Sequence, residues 1–458
     1  MNTAPRVQVR SAQLFERAVS LRLPFRFGAA TVTQAPQAFV RVQVEVDGRS
    51  ALGASAELMV PKWFDKNPAL THEQNFEQLR QALRCARDAY LGTDGRLTAH
   101  GLSLHAGAAA TTAAVSQGLP RLAAQFGPAQ LDKAVADAVL RSAGLGWCDG
   151  LRAGLLGDPF HARLSIGTPQ QVALRHTVGL ADRITEADPG VDPADGLPAT
   201  LEAAIRAHGL RYFKIKLCGD AERDLPRLLA ITQLLQAQAG DWWATLDGNE
   251  TFADAQALAR HWQALQAESA LQPLLQRTLL LEQPIARAQA LAQPLTALNL
   301  GLPVILDESD DGDEVLARGL ALGYSGISSK ACKGLYRSLH SAAQLAERRV
   351  QQPQGRWLLS GEDLTCQAGL AVQQDTLLAA SLGVAHIERN GHHYVDGFGT
   401  APAAEAQAFL AAHPGLYHLQ QGRVRLRVAD GQLDLRSLHG SGFASDALPL
   451  WDRLQAIT

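Results

Sequence analysis

Paired cysteines, a large excess of either charge and long apolar runs are all missing from this 458-residue chain. The five cysteines, Cys85, Cys148, Cys218, Cys332 and Cys366, are odd in number, stand far apart and form no CxxC pair. That argues against a disulfide framework or a zinc knuckle and makes a reducing cytoplasm the expected location. A formal net charge of −3 gives the surface no pull toward nucleic acid or anionic lipid. No uninterrupted apolar stretch approaches bilayer length, and the opening MNTAPRVQVR lacks the apolar segment of a secretory signal. Disorder is also excluded, because 47% hydrophobic against 19% charged residues can fill a sizeable core. The length suits two domains, one of them a barrel.

Three zones follow one another. The first, residues 1–156, opens with the alternation Ala38-Phe39-Val40-Arg41-Val42-Gln43-Val44-Glu45-Val46 and the turn Asp47-Gly48, which reads as half-buried antiparallel strands. From about Thr71 the period changes, and Phe76, Leu79, Leu83 and Ala86 recur at helical spacing. This zone is expected to be α+β. In the second, residues 157–401, eight short apolar runs alternate with long amphipathic stretches. The runs are Leu174 to Val178, Tyr212 to Lys216, Trp243 to Asp247, Leu279 to Glu282, Val304 to Asp307, Gly326 to Lys330, Trp357 to Ser360 and Val384 to Glu388. Eight strands joined by helices predict a parallel α/β barrel of the TIM type. An open doubly wound sheet competes less well, because no G-x-G-x-x-G follows the first strand and no P-loop is present. The third zone, residues 402–458, returns to short strands around Asp430-Gly431 and is expected to pack on the first.

Charged residues stand at the strand ends. Lys214 and Lys216 end YFKIK, Asp247 ends WWATLD, Glu282 ends LLLE, Asp307 and Glu308 end VILDE, and Lys330 ends GISSK. From Lys216 the intervals to Asp247, Glu282, Asp307 and Lys330 are 31, 35, 25 and 23 residues. A barrel of about 250 residues over eight units needs roughly 31 residues per unit, so these groups recur about once per βα unit, at the mouth where such barrels build active sites. Three carboxylates on neighbouring strands would repel one another in a desolvated site and call for a cation. All-oxygen ligation with open positions suits Mg²⁺ or Mn²⁺, with Asp247, Glu282 and Asp307 as ligands and Glu308 an alternative to Asp307. Lysines flank the acids on both sides. A dication beside them would depress a lysine pKa and let a neutral amine act as general base.

The run of motifs resembles the enolase superfamily, in particular its muconate lactonizing enzyme branch of the mandelate racemase/muconate lactonizing type. The residues that carry the likeness are K-x-K in YFKIK, D-x-N in LDGNE, E-Q-P in LEQP, D-E-S in LDES and K-x-x-K-G in SKACKG, with VRVQVEVDG, LGASAE and VPKWFDK before them. The resemblance implies a modified (β/α) barrel with an α+β capping domain. It also implies Lys216 as acid/base on one face of the substrate and Lys330 on the other, with Lys214 as helper. Asp247, Glu282 and Asp307 become the Mg²⁺ ligands, and Asn249 and Glu308 their outer partners. The mechanism is the Lys-and-Mg²⁺ chemistry known for that superfamily: abstraction of an α-proton from a carboxylate through an enediolate, giving racemisation, epimerisation, cycloisomerisation or elimination. Phe25, Trp63, Glu388 and His393 are candidate substrate contacts. The expected partner is a small-molecule carboxylate, and the expected assembly a homo-oligomer. The chain departs from the pattern in three places. The interval before Glu282 is long, with extra residues near Glu268 to Gln276. The segment after Lys330 has one Gly where relatives often have two. The eighth strand ends in HIERNGHH without the D-x-D by which dipeptide epimerases hold an ammonium group, which argues against a dipeptide.

Plainer readings exist for each residue. K-x-K alone is usually a solvated strand face. Asp-Glu-Ser after a strand suits a helix cap. His392 and His393 would line the mouth or sit solvated in a surface loop. Glu362 and Asp363, after the seventh strand, are weaker candidates still. Two rival functions keep the same barrel: a Schiff-base lyase or aldolase with Lys330 as nucleophile, and a non-catalytic metal-binding relative.

Overall fold

The computed structural model describes residues 4–458. Period-two alternation sets the first sheet. Val7–Phe27 (β1), Ala30–Val46 (β2) and Arg49–Leu58 (β3) form an antiparallel meander. Val40, Val42, Val44 and Val46 are buried while Arg41, Gln43 and Glu45 between them face water to varying degrees. Asp47 and Gly48 turn the chain with φ of 46° and 83°, the pair of positive values that a tight hairpin of matching twist needs.

Helices cover one face of this sheet. His72–Leu91 (α1) starts at a capping box in which the Thr71 hydroxyl accepts from Gln74 N and the Gln74 side chain accepts from Thr71 N. It buries Phe76, Leu79, Leu83 and Ala86, the four residues expected from their spacing. Ala108–Ser116 (α2) and Phe126–Ala143 (α3) complete the layer. Two glycines let α3 lie flush. A Cβ on Gly53 of β3 would stand 2.0 Å from the Ala134 carbonyl oxygen, and one on Gly127 would stand 2.0 Å from that of Ala82. Between the layers the fully buried Lys133 ammonium donates to Ala56 O at 2.8 Å and lies 3.2 Å from Glu57.

Eight parallel strands then close a barrel: Gln171–Val178 (β4), Tyr212–Lys216 (β5), Trp243–Asp247 (β6), Thr278–Glu282 (β7), Val304–Leu306 (β8), Gly326–Ser329 (β9), Leu358–Gly361 (β10) and His386–Glu388 (β11). The ring shuts where β11 pairs with β4, Ile387 opposite Leu174. Helices follow most strands, including Leu335–Gln351 (α4) after β9. The long interval before Glu282 is filled by a 3₁₀ turn at Ser269–Leu271 and a short helix at Gln272–Arg277. After β7 and β11 the helical layer thins to four-residue turns at Arg287–Ala290 and Gly391–Tyr394.

The C-terminal stretch touches both bodies. Tyr417–Gln420 (β12) pairs with Arg423–Leu426 (β13). Gln432–Asp434 (β14), just after the Asp430-Gly431 turn, runs antiparallel beside β4 of the barrel. Gln455–Ala456 (β15) joins the edge of the first sheet, Ala456 opposite Phe15. Among the described residues no helix is long and apolar enough to cross a membrane.

Candidate active site

Each barrel strand alternates inward and outward positions, so Lys214 and Lys216 of β5 share one face. Both point inward: Lys214 is 1% and Lys216 5% exposed. Asp247 and Glu282 end adjacent strands and are direct ladder partners. Asp307 follows β8 and Lys330 follows β9. All of these side chains are buried. The strand-end residues singled out from the sequence are therefore brought together at one mouth.

Their pairing is dense. The Lys216 ammonium donates to Asp247 Oδ2 at 2.6 Å, and Lys330 donates to Asp307 Oδ2 at 2.5 Å. Lys214 lies among four carboxylates: Asp247 at 3.0 Å, Glu282 at 2.7 Å, Glu362 at 2.6 Å and Glu388 at 3.0 Å. The Glu282 contact lies outside hydrogen-bond geometry, so both Glu282 oxygens are buried without a hydrogen-bond donor. Asn249 donates to Glu308 Oε1 at 3.1 Å, and its backbone N–H to Asp247 Oδ1 at 2.8 Å. Asn249, Glu250 and Gln283, just past β6 and β7, have φ of 41°, 66° and 31°. Non-glycine residues in that region gather where a site over-determines its backbone.

The electrostatics follow from burial and from these pairs. Burial works against charge on Lys214, but its carboxylate neighbours outweigh burial and hold the ammonium well above its ordinary range. Lys330 is raised in the same way, chiefly by Asp307. Burial also opposes charge on Asp247 and Asp307. The lysines beside them prevail and lower both pKa values. Glu282 goes the other way, well above the usual range, from burial and from the charges of Asp247 and Glu362. The sequence reading expects depressed lysines beside a dication. In the protein alone the neighbours are carboxylates, and the balance runs upward.

Do these residues suit a hard dication? Among the described residues no three His, Cys, Asp or Glu side chains are gathered as an ion's cage, and lysine ammonium groups lie among the acids. The donor chemistry nonetheless fits. Asp247, Glu282 and Asp307 offer only oxygen, and the middle one is buried with both oxygens unsatisfied, a state that positive charge would relieve. Lys214 has somewhere else to go, since Glu362 and Glu388 already hold it from the other side.

The first sheet seals the mouth. The β1–β2 hairpin brings Phe25 and Phe27 over it, with the Lys216 ammonium 5.9 Å and 6.0 Å from their ring centroids. The Trp63 ring covers Lys330 at 4.3 Å. The small cleft left at the mouth has a volume of about 20 Å³ and is lined by Phe25, Trp63, Lys216, Lys330, Thr365 and Glu388 among others. Phe25, Trp63 and Glu388, three of the candidate substrate contacts, thus lie together at the mouth. His393 is buried rather than solvated, but lies outside this cavity, packed against His176 and Tyr394 at 4.9 Å and 4.8 Å. Asp307, Glu308 and Ser309 cap no helix: the next one, Val315–Ala321, has no side-chain cap.

Three contributors escape the sequence reading. Arg175 of β4, fully buried, pairs with Glu362 and so fixes one of the carboxylates around Lys214. An arginine inside the apolar run ALRHTV is the one signal that could have flagged it. Lys66 reaches from the first body to Glu250 at 2.6 Å and Asn249 O at 2.7 Å. Arg287 donates to Trp63 O at 2.8 Å and Phe64 O at 3.0 Å, tying that loop to the barrel.

Fold and site together define a capped (β/α) barrel with a lysine-and-carboxylate mouth. No family model matches the chain, and no curated protein matches it. Solved structures do. A mandelate racemase/muconate lactonizing protein from Herpetosiphon aurantiacus aligns at TM-score 0.59 and 20% identity, over 96% of this chain and 99% of that one. A muconate lactonizing enzyme from Mucobacterium Smegmatis complexed with muconolactone gives 0.62 and 17%, over 96% and 97%. A dipeptide epimerase from Enterococcus faecalis complexed with Mg and L-Leu-L-Tyr gives 0.61 and 17%, over 95% and 99%. The chain thus has the fold of the mandelate racemase/muconate lactonizing enzyme structures, across nearly its whole length.

Proposed function

We propose that the chain is an enolase-superfamily enzyme that removes the α-proton of a small carboxylate, with Lys216 and Lys330 as the acid/base pair. One observation carries this reading. The two lysines come from β5 and from the end of β9, and both line one small cleft walled by acids and aromatic rings. A substrate carbon between them could lose a proton to one amine and regain it from either.

Asp247, Glu282 and Asp307 would hold a Mg²⁺-type ion, which supplies positive charge to the substrate carboxylate and makes the neighbouring C–H more acidic. Lys214, retained by Glu362 and Glu388, would donate to a substrate carboxylate oxygen as charge builds there. Phe25, Phe27 and Trp63 exclude water from the amines. Ionisation of Asp307 keeps Lys330 oriented, and Asp247 does the same for Lys216. The outcome, epimerisation or cycloisomerisation, depends on whether the substrate carries a leaving group next to the reacting carbon.

The test is α-proton exchange in D₂O with Mg²⁺ across N-acyl amino acids, 2-hydroxy acids and muconolactone-type acids, read by NMR. At least one acid should exchange. Lys216→Ala and Lys330→Ala should each abolish exchange on a different face. Exchange that survives both substitutions, or a borohydride-trapped adduct on Lys330, would sink the assignment.

A further inference from the structure

A second cavity lies away from the barrel mouth, between the helices of the first body and the start of α4. Its volume is about 780 Å³, within the range of small-molecule sites. One wall is the π-helical turn Ser103–Gly107 together with α2. Such turns interrupt an α-helix at a cost and recur at functional sites. The opposite wall is Phe160, Gly334, Tyr336, Arg337 and His340.

Most polar groups left unspent here are donors, with Gln125 Oε1 the buried acceptor that also lacks a partner. Helix α4 begins at Gly334 with no side-chain cap and no acidic residue in its first turn, so its leading N–H groups and the positive end of its dipole face the cavity rim. Tyr336, 8% exposed, has a buried hydroxyl with no hydrogen-bond partner, and Arg337 Nε is also unpaired. Arg121 lines the cavity, its side chain half-exposed and only loosely paired with Glu314 at 3.4 Å. The two carboxylates in the lining lie beside cationic or hydroxyl partners of their own. Asp132 takes the Tyr90 hydroxyl at 2.5 Å and the Ser103 hydroxyl at 2.7 Å, and Asp313 stands 3.7 Å from Arg337. The rest of the lining is apolar and flat. Leu104 and Val115 are 61% and 44% exposed there, and the Phe160 ring stacks on His340 at 5.0 Å with 23° between planes.

We infer that this cavity is a binding site for an aromatic carboxylate, its carboxylate taken by Tyr336, Arg337 and the start of α4 and its ring laid against Phe160, Leu104 and Val115. The site is separate from the mouth but connected to it. Arg337 holds Asp310 at 3.2 Å, Asp310 holds Lys333 at 2.9 Å, and Lys333 lies 3.5 Å from Asp307.

Benzoate is the probe, titrated by calorimetry into the whole chain. Ala108 lines the cavity and is exposed, so Ala108→Trp fills the space without touching the core. One benzoate should bind per chain outside the mouth. Ala108→Trp should weaken it at least tenfold and Tyr336→Phe several-fold, while Lys216→Ala leaves it unchanged. The proposal is overturned if wild type takes up no benzoate, if Ala108→Trp binds it as wild type does, or if Lys216→Ala abolishes it, which would place the ligand in the mouth. It is equally overturned if Ala108→Trp instead changes the sedimentation of the protein, which would make the cleft a contact between copies.

Discussion

Asp132 gives the sharpest stability test, because its whole effect comes from one side chain. It sits on α3, 6% exposed, and burial pushes its carboxyl from 3.8 up to about 7 despite donation from Tyr90 and Ser103. A folded-state pKa above the unfolded one means that the folded state prefers the protonated acid. The resulting stabilisation is complete below pH 3.8 and is lost as the pH rises through 7. At roughly 1.4 kcal/mol per unit, the full span is about 4 kcal/mol, of which about 3 kcal/mol falls between pH 5 and pH 8. Asp132→Asn keeps the shape and removes the titration. Urea unfolding of wild type and variant at both pH values isolates the effect. Stability should fall from pH 5 to pH 8 by about 3 kcal/mol more in wild type than in the variant. Equal falls in the two proteins would refute the reasoning.

Three other outcomes follow from the geometry. Lys133→Met strands the Glu57 carboxylate in the interior and should cost about 3–5 kcal/mol in urea unfolding, since one partner of a buried pair is removed. Gly53→Val must push β3 off α3, because even a Cβ meets Ala134 O at 2.0 Å; the melting temperature should drop by several degrees or the soluble yield collapse. Mg²⁺ at a hundred times its dissociation constant should stabilise the wild type by about 2.7 kcal/mol, and Glu282→Gln should abolish that gain in a thermal-shift titration.

Much of the barrel was legible because its strands are short apolar runs closed by a charged residue. Tyr212–Lys216 and Trp243–Asp247 were read to the residue, and the other six to within three residues at either end. Local patterning also carries the meander and α1, where period two gives way to period 3.6. Contacts between distant parts of the chain were not legible. Arg175 and Glu362 are 187 residues apart and meet only because β4 closes on β11. Lys66 and Arg287 likewise matter through a loop docked from another body. The helix Ala403–Ala412 escaped because its alanine-rich turns show no clear apolar stripe. His393 was read as a candidate substrate contact, or else a solvated loop residue; it is buried and lies outside the mouth cavity. Its burial comes from the β1 hairpin folding over it, where Arg22 donates to His393 O at 2.8 Å.

A cleft volume of about 20 Å³ holds little more than a single water. For the proposed reaction, a substrate larger than water reaches the two lysines only when the aromatic cover moves aside, against the grip of Arg287 and Arg22 on its two segments. A steady-state rate limited in this way should slow in proportion to added glycerol viscosity, whereas the single-turnover rate of a preloaded enzyme should not.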